Sequence, residues 1–365
     1  DTAKALIAFM KGSRPQKSYF QGCSDGGREA LMEAQRYPAD WDGIVAGAPA
    51  NNWTGLLAVS TSTEQAIATP ESYLTQADLA LVQAAVLRQC GGEAFVRDPT
   101  ACRFDPASIQ CRPNRYPESC LAPAKVAALK QIYRGLVDPR SGQVLYPGYT
   151  PGAEAQPGSW NTWITGPSRE QNAMAASHQF GSNYFRYFAF SDPAFDFLKL
   201  DLGAQLAESR RRLAPILDSA NPNLSAFRAR GGKLLQYHGW NDPAIPALGS
   251  IAYFEDVRRT MGDTSGFYRL FMVPGMLHCA GGASPTAVDW LAILDKWVTE
   301  NAAPATITAR TAAAPSATPA TDAPSQLLCP YPAIARRTGR GAIGDAAAYA
   351  CRAGPRIAVR IPSPA

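Results

Sequence analysis

A serine stands between two glycines at Gly22-Cys23-Ser24-Asp25-Gly26, with the β-prone run Ser18-Tyr19-Phe20 before it and a helix-like run from Arg28 to Tyr37 after it. In that second run Ala30, Leu31, Ala34 and Tyr37 recur on one face, while Arg28, Glu29, Glu33 and Arg36 fall largely on the other. A strand, a tight turn and a helix therefore follow one another within twenty residues, with the serine at the bend. The chain's 30 glycines make a chance G-x-S-x-G plausible, so it is the flanking strand and helix that separate this serine from a loop serine.

A serine held on such a turn is the nucleophile elbow of an α/β-hydrolase. The texture of the chain supports that fold class. Residues 1–51 read as helix, strand, elbow, helix and a second strand at Gly43-Ile44-Val45-Ala46-Gly47. Residues 52–220 change character: helical stretches at 75–88 and 123–135 alternate with loops rich in Pro, Gly, Trp and Tyr, which predicts a large inserted lid domain. Residues 221–365 return to alternation, with strand-like runs at 233–238 and 268–273 and a periodic helix at 286–299 whose Trp290, Leu291, Leu294, Trp297 and Val298 form one apolar stripe. Residues 302–325 are rich in Ala, Pro and Thr and read as irregular surface chain. In this fold several strands precede the elbow, yet only residues 1–17 precede the strand here, so the first part of the sheet is expected to be missing.

Charge and hydropathy exclude other classes. The formal charge of +5 is spread along the chain with no basic, aromatic-interleaved cluster, so no nucleic-acid partner is expected. No apolar run reaches the roughly 18 to 20 residues of a membrane-spanning helix, so no membrane partner is expected either. Residues 1–10 carry no secretory pattern, but eight cysteines, even in number, argue for an oxidising compartment, secreted or periplasmic. Cys102, Cys111 and Cys120 lie in a polar, proline-containing stretch that needs staples more than it builds core. No C-x-x-C pair exists and no histidine lies between Cys90 and Cys120, which disfavours zinc. Spacing leaves all 105 pairings open.

A serine hydroxyl needs a general base, and the choices are His178, His238 and His278. The α/β-hydrolase order of serine, then acid, then histidine favours His278, in the turn Pro274-Gly275-Met276-Leu277 after strand 268–273, with His238 as runner-up. Asp242, in Gly239-Trp240-Asn241-Asp242-Pro243, is placed to accept the proton on His278 Nδ1, although an Asp before Pro also serves as a plain turn former. Cys23 precedes the proposed nucleophile and Cys279 follows the proposed base. A bond between them would tie the two catalytic turns together.

The chain resembles the tannase and feruloyl esterase family, which includes a hydrolase of mono(hydroxyethyl) terephthalate. The likeness rests on Gly22-Cys23-Ser24-Asp25-Gly26-Gly27-Arg28, Tyr237-His238-Gly239-Trp240-Asn241-Asp242-Pro243, Pro274-Gly275-Met276-Leu277-His278-Cys279 and Cys329-Pro330-Tyr331-Pro332. It implies Ser24, Asp242 and His278 as the triad, and disulfides Cys23 with Cys279, Cys90 with Cys102, Cys111 with Cys120 and Cys329 with Cys351. The chain departs from the family at the acidic calcium loop that follows the cysteine matching Cys90. Here Gly91-Gly92-Glu93-Ala94-Phe95-Val96-Arg97-Asp98 offers too few oxygen ligands for a cation wanting roughly six to eight, so no lid calcium, no other metal and no cofactor are expected. The backbone N–H of Asp25 is the expected oxyanion donor, and the second donor of this fold lies outside the given residues. Losing one such donor costs roughly 100- to 1000-fold in turnover, so this chain alone is expected to be poorly folded or inactive and the full-length protein competent.

The expected function is that of a secreted serine carboxylic ester hydrolase acting on small aromatic esters of the hydroxycinnamate or gallate type. Phe180, Tyr184, Phe185, Tyr187, Phe188, Phe190, Trp160 and Trp163 are candidates either for a slot around a planar acyl group or for ordinary lid core. The competing readings are a catalytically silent secreted binding protein on a hydrolase scaffold, and an acyltransferase or peptidase of the same fold. Oligomeric state is not legible in the sequence.

Overall fold

The computed structural model describes residues 2–91, 94–112, 119–312, 323–339 and 341–362. After helix α1 (Thr2–Lys11) come strand β1 (Tyr19–Cys23), helix α2 (Asp25–Arg36) and strand β2 (Gly43–Gly47). Strand β5 (Lys233–Gly239) and strand β6 (Tyr268–Val273) complete a parallel sheet of order β1-β2-β5-β6. β2 and β5 are hydrogen-bonded neighbours although residues 48–232 lie between them in the chain. The register pairs Cys23 with Gly47, Gly47 with Tyr237, and Gly239 with Val273, so the carboxyl ends of the four strands finish side by side. Ligands of open α/β sheets bind at that edge.

Strands covered on both faces read as continuous apolar runs, which is why β2 and β5 are buried almost throughout. Successive side chains point to opposite faces. Ile44, Ala46, Leu234, Leu270 and Met272 pack against α2 and against helix α10 (Leu248–Met261) through Leu31, Ile251, Phe254 and Val257. Val45, Leu235, Tyr237, Phe271 and Val273 pack on the other face against helix α11 (Trp290–Glu300), where Tyr237 stacks on Trp290 at 4.4 Å between centroids. The expected stripe of that last helix is real but narrower: Trp290, Leu294 and Trp297 are buried, while Leu291 is exposed, and Asp289 caps the helix later than the periodicity predicts.

Between β2 and β5 the structure is mostly helical. Helix α3 (Trp53–Ala66) is buried along nearly its whole length, including the polar Thr61 and Glu64. Helices α4 (Gln76–Cys90) and α5 (Pro123–Arg134), the hairpin of β3 (Gly135–Val137) and β4 (Val144–Pro147), and the helices α6 (Trp160–Trp163), α7 (Ala176–Asn183), α8 (Ala204–Leu217) and α9 (Ser225–Ala229) follow it before β5. Thr75 and Asp78 form a reciprocal capping box that starts α4. Cys90–Cys102 and Cys111–Cys120 staple the loops of this region, and Cys329–Cys351 closes a C-terminal one.

The expectation of irregular chain over residues 302–325 needs correcting at its ends. Ile307–Arg310 (β7) pairs antiparallel with Ser325–Leu328 (β8), because Ile307 and Ala309 alternate inward between exposed Thr308 and Arg310. Residues 313–322 of that stretch lie outside the described residues.

Candidate active site

Ser24 occupies the bend between β1 and α2 at φ 66° and ψ −121°, a conformation that costs a non-glycine residue about 1 to 3 kcal/mol. Neighbouring backbone holds it there: Ser24 N–H donates to Gly47 O at 3.0 Å, and Ser24 O accepts from Ala50 N at 3.1 Å. The glycines act differently from what the motif suggests. A Cβ on Gly22 would meet Gly26 O at 2.3 Å, so Gly22 lets the helix start fold back over the strand. Gly26 faces open space itself, and Gly27 is the residue that lies against β2, where a Cβ would meet Gly47 O at 2.3 Å.

Asp242 follows β5 in a turn that its own side chain builds. Its Oδ1 accepts from Ala244 N at 2.8 Å and Ile245 N at 2.9 Å, so the plain turn role is real. Its Oδ2 faces His278 Nδ1 at 2.8 Å, so the same carboxylate also holds the imidazole. The two strand-end turns meet closely because position 239 is glycine: a Cβ there would strike Met276 O at 2.4 Å. Asn241 N donates to Met276 O at 3.1 Å across the same junction.

The electrostatics follow from burial and pairing. Burial by itself raises a carboxyl, but at Asp242 the charge of His278 and the hydrogen bonds from His238 and His278 outweigh it, leaving the group well below the ordinary carboxylate range. At His278 burial opposes the charged ring, yet the Asp242 charge and hydrogen bond prevail and raise its pKa above the ordinary histidine value.

Cys23 and Cys279 are bonded, with their Cα atoms 5.9 Å apart. With about 3.8 Å between consecutive Cα atoms, the bridge keeps those of Ser24 and His278 within roughly 14 Å of each other. Trp163 connects them from the helical side: its ring packs edge-on against His278 at 4.9 Å, and it lines the same cavity as Ser24.

That cavity encloses about 70 Å³ and is walled by Asp25, Trp53, Leu57, Trp163, Phe180 and Ile245, with Ser60 and Ser177 as polar points. Larger hollows exist, such as one of about 500 Å³ beside Asp218 and Tyr253, which Ser24 does not line. Of the eight aromatics that were candidates for a slot or for ordinary lid core, only Phe180 and Trp163 line this cavity. Trp160, Tyr184 and Phe185 are core, Phe190 packs against that core, and Tyr187 and Phe188 are exposed. The residues missed, Trp53, Leu57, Ser60 and Ile245, sit on α3 and in the Asp242 turn. The Leu56-Leu57 pair just after Asn52 was the available signal.

His238 and His178 have other surroundings. His238 is fully buried between Ser250 and Asp242. His178 Nδ1 lies 3.3 Å from Glu64 Oε2, beside Ser177, whose hydroxyl donates to Glu64 Oε1 at 2.7 Å. Burial raises the Glu64 carboxyl despite these partners. The loop expected to lack a calcium site includes Gly92 and Glu93, which lie outside the described residues. Among the described residues no three His, Cys, Asp or Glu side chains gather where they could hold a metal ion, and no helix is long and apolar enough to cross a membrane.

A parallel sheet flanked by helices, with a strained serine at one strand end, defines an α/β-hydrolase-like protein. The profile of the tannase and feruloyl esterase family matches residues 1–352, and the chain belongs to that family. It is 34% identical to an uncharacterised esterase of Xanthomonas campestris pv. campestris, over 99% of this chain and 70% of that protein. It is 33% identical to the mono(2-hydroxyethyl) terephthalate hydrolase of Piscinibacter sakaiensis, over 96% of this chain and 66% of the other. Against the crystal structure of feruloyl esterase B from Aspergillus oryzae the TM-score is 0.86 at 25% identity, covering 96% of this chain and 72% of that one. The chain thus spans about two thirds of the length of these two relatives.

Proposed function

We propose that the protein is an exported serine carboxylic ester hydrolase of aromatic esters, with Ser24 as nucleophile, His278 as general base and Asp242 as the group that orients and stabilises the imidazolium. The reading rests above all on the 2.8 Å contact between His278 Nδ1 and Asp242 Oδ2, in a turn bonded by Cys279 to the residue before Ser24. In the first step His278 Nε2 takes the Ser24 proton as Oγ attacks the ester carbonyl. Asp25 lines the cavity, and its backbone N–H, one of the first-turn donors of α2 that have no partner within the helix, is proposed to hold the oxyanion. The alcohol leaves with the proton from His278. Water then attacks the acyl-enzyme and gives a proton to His278; the intermediate breaks its bond to Ser24 Oγ, which takes that proton back from His278, and the carboxylic acid is released.

The proposed acyl site is the narrow cavity of Trp53, Leu57, Trp163 and Phe180, whose flat apolar walls suit a planar ring. Gallate and hydroxycinnamate esters are the proposed substrates, in keeping with relatives named for feruloyl esters and for mono(2-hydroxyethyl) terephthalate. We assign residues 52–220 to a lid over the sheet formed by 1–51 and 221–365, and four disulfides support an extracellular or periplasmic site of action.

Ser24→Ala in the whole protein tests the assignment. Turnover of methyl ferulate and methyl gallate should fall by at least about 1000-fold, and labelling by a fluorophosphonate should vanish with an unchanged melting curve. Retained turnover in that variant overturns the mechanism, and cleavage of peptide anilides in preference to esters overturns the substrate class.

A further inference from the structure

Asp242 has a second histidine on it, and the mechanism above leaves that residue without a task. His238 Nε2 lies 3.2 Å from the same Oδ2 that receives His278, and 3.0 Å from Ile245 O. Its other nitrogen, Nδ1, lies 2.7 Å from Ser250 Oγ on α10. Gln236, two residues back on the same face of β5, donates its amide Nε2 to Ser250 Oγ at 2.7 Å. That amide is itself oriented by the Tyr268 hydroxyl, which donates to Gln236 Oε1. Gln236, His238, Ser250, Tyr268 and Asp242 are all buried.

The chain of donors has one consistent direction. Tyr268 gives its proton to the carbonyl of Gln236, so the amide nitrogen points at Ser250 and fills an acceptor position on that hydroxyl. The Ser250 proton is then directed to His238 Nδ1. With Nδ1 an acceptor, the ring N–H falls to Nε2, which faces a carbonyl and a carboxylate, both acceptors only. We propose that His238 is a positioning residue for the catalytic pair: its Nε2–H, shared between Ile245 O and Asp242 Oδ2, braces the carboxylate that holds His278, with its tautomer set by the buried relay Tyr268–Gln236–Ser250. This inference rests on the triad reading of Ser24, His278 and Asp242.

Asp242 Oδ1 thereby accepts from two backbone N–H groups, while Oδ2 has His278 Nδ1 at 2.8 Å and, at 3.2 Å, His238 Nε2, whose one N–H is shared with the nearer Ile245 O. The lateral bond from His238 does two things. It restricts rotation of the carboxylate, and it draws charge from Oδ2 that would otherwise act on His278 alone. The titratable groups facing this pair are His278 in the turn after β6, Tyr268 on β6 with Tyr253 beside it, and Tyr146 and Tyr149 around the end of β4.

The experiment compares His238→Leu, His238→Gln, Ser250→Ala and Ser24→Ala in the whole protein, on methyl ferulate across pH 5 to 9. His238→Leu should lower kcat about 10- to 100-fold with KM within about twofold, as expected for a small displacement of the reacting groups. Its acid limb of kcat/KM should move upward, because Asp242 relieved of one donor binds the His278 proton more strongly. His238→Gln, which keeps an N–H for Asp242, should recover most of kcat, and Ser250→Ala should show a smaller loss in the same direction. Nitrogen-15 spectra of histidine-labelled protein should show the His238 ring protonated at Nε2. A folded His238→Leu with unchanged kcat and acid limb overturns the proposal, as does a ring protonated at Nδ1. If His238→Leu does not fold, wild-type kcat and pH profile in Ser250→Ala overturn it instead. Turnover by Ser24→Ala sinks the triad reading, whereas a silent Ser24→Ala beside wild-type behaviour of the His238 and Ser250 variants sinks this inference alone.

Discussion

The carboxyl end of the sheet and the helical region between β2 and β5 build their parts of the cavity in opposite ways. At the sheet end each group proposed to react is placed by backbone and covalent constraints next to it: Ser24 by the bend over Gly22, Asp242 by the N–H groups of Ala244 and Ile245, His278 by the disulfide of its neighbour Cys279. In the helical region the wall is assembled from Trp53, Leu57, Ser60, Trp163, Ser177 and Phe180, spread over more than a hundred residues with no local pattern. Groups that must hold a reacting atom to a fraction of an ångström are set by short-range geometry, whereas a wall that selects a ring need only be apolar and of the right shape.

If that contrast is right, the largest losses come from the sheet end. Asp242→Asn should cut kcat by about 10,000-fold while the fold persists, since an amide leaves His278 in the wrong tautomer; single-turnover kinetics on methyl ferulate measures it. Replacing Cys23 and Cys279 together by Ser should lower kcat about 100-fold and stability by up to about 5 kcal/mol, the chain-entropy bound for a 256-residue span, as read by urea unfolding. Turnover like that of the parent in this double variant would break the comparison.

Changes in the wall should alter selection more than rate. Phe180→Ala, half-exposed at the cavity edge, should change the ratio of kcat/KM for methyl ferulate over methyl gallate by about 10-fold while fluorophosphonate labelling of Ser24 continues. A loss confined to kcat and equal for both esters would place Phe180 with the sheet-end machinery instead.

The smallest effects are those of pH. The proposed mechanism needs neutral His278, whose pKa is raised by Asp242, so kcat/KM should fall on the acid side at a pH above the ordinary histidine value of about 6.5. The stability linkage has two signs. A raised His278 contributes below about pH 6.5 and is lost as pH climbs through its folded value, whereas a lowered Asp242 contributes above about pH 3.9 and is lost as pH falls through its own. The pair therefore stabilises most between those limits, which urea unfolding at stepped pH will show or deny.

Much of the sheet end was legible from sequence because its signals are local. Residues 43–47 and 268–273 read as strands and are strands, since buried parallel strands are unbroken apolar runs ended by Gly or Pro. The disulfides implied by family likeness are those the structure contains. The short strand at Ile307–Arg310 was not legible, because four residues beside an Ala- and Pro-rich tract carry too little periodicity to outweigh their surroundings.

The sequence by itself determined the strand-turn-helix bend at Ser24 and the strands that end beside Asp242 and His278, because each depends on residues adjacent along the chain. Only the tertiary structure decided which aromatics face the cavity, that Gly27 and not Gly26 meets β2, and that His238 shares Asp242 with His278. Those outcomes depend on how separate elements pack, and a side chain facing a core looks in sequence the same as one facing a cavity.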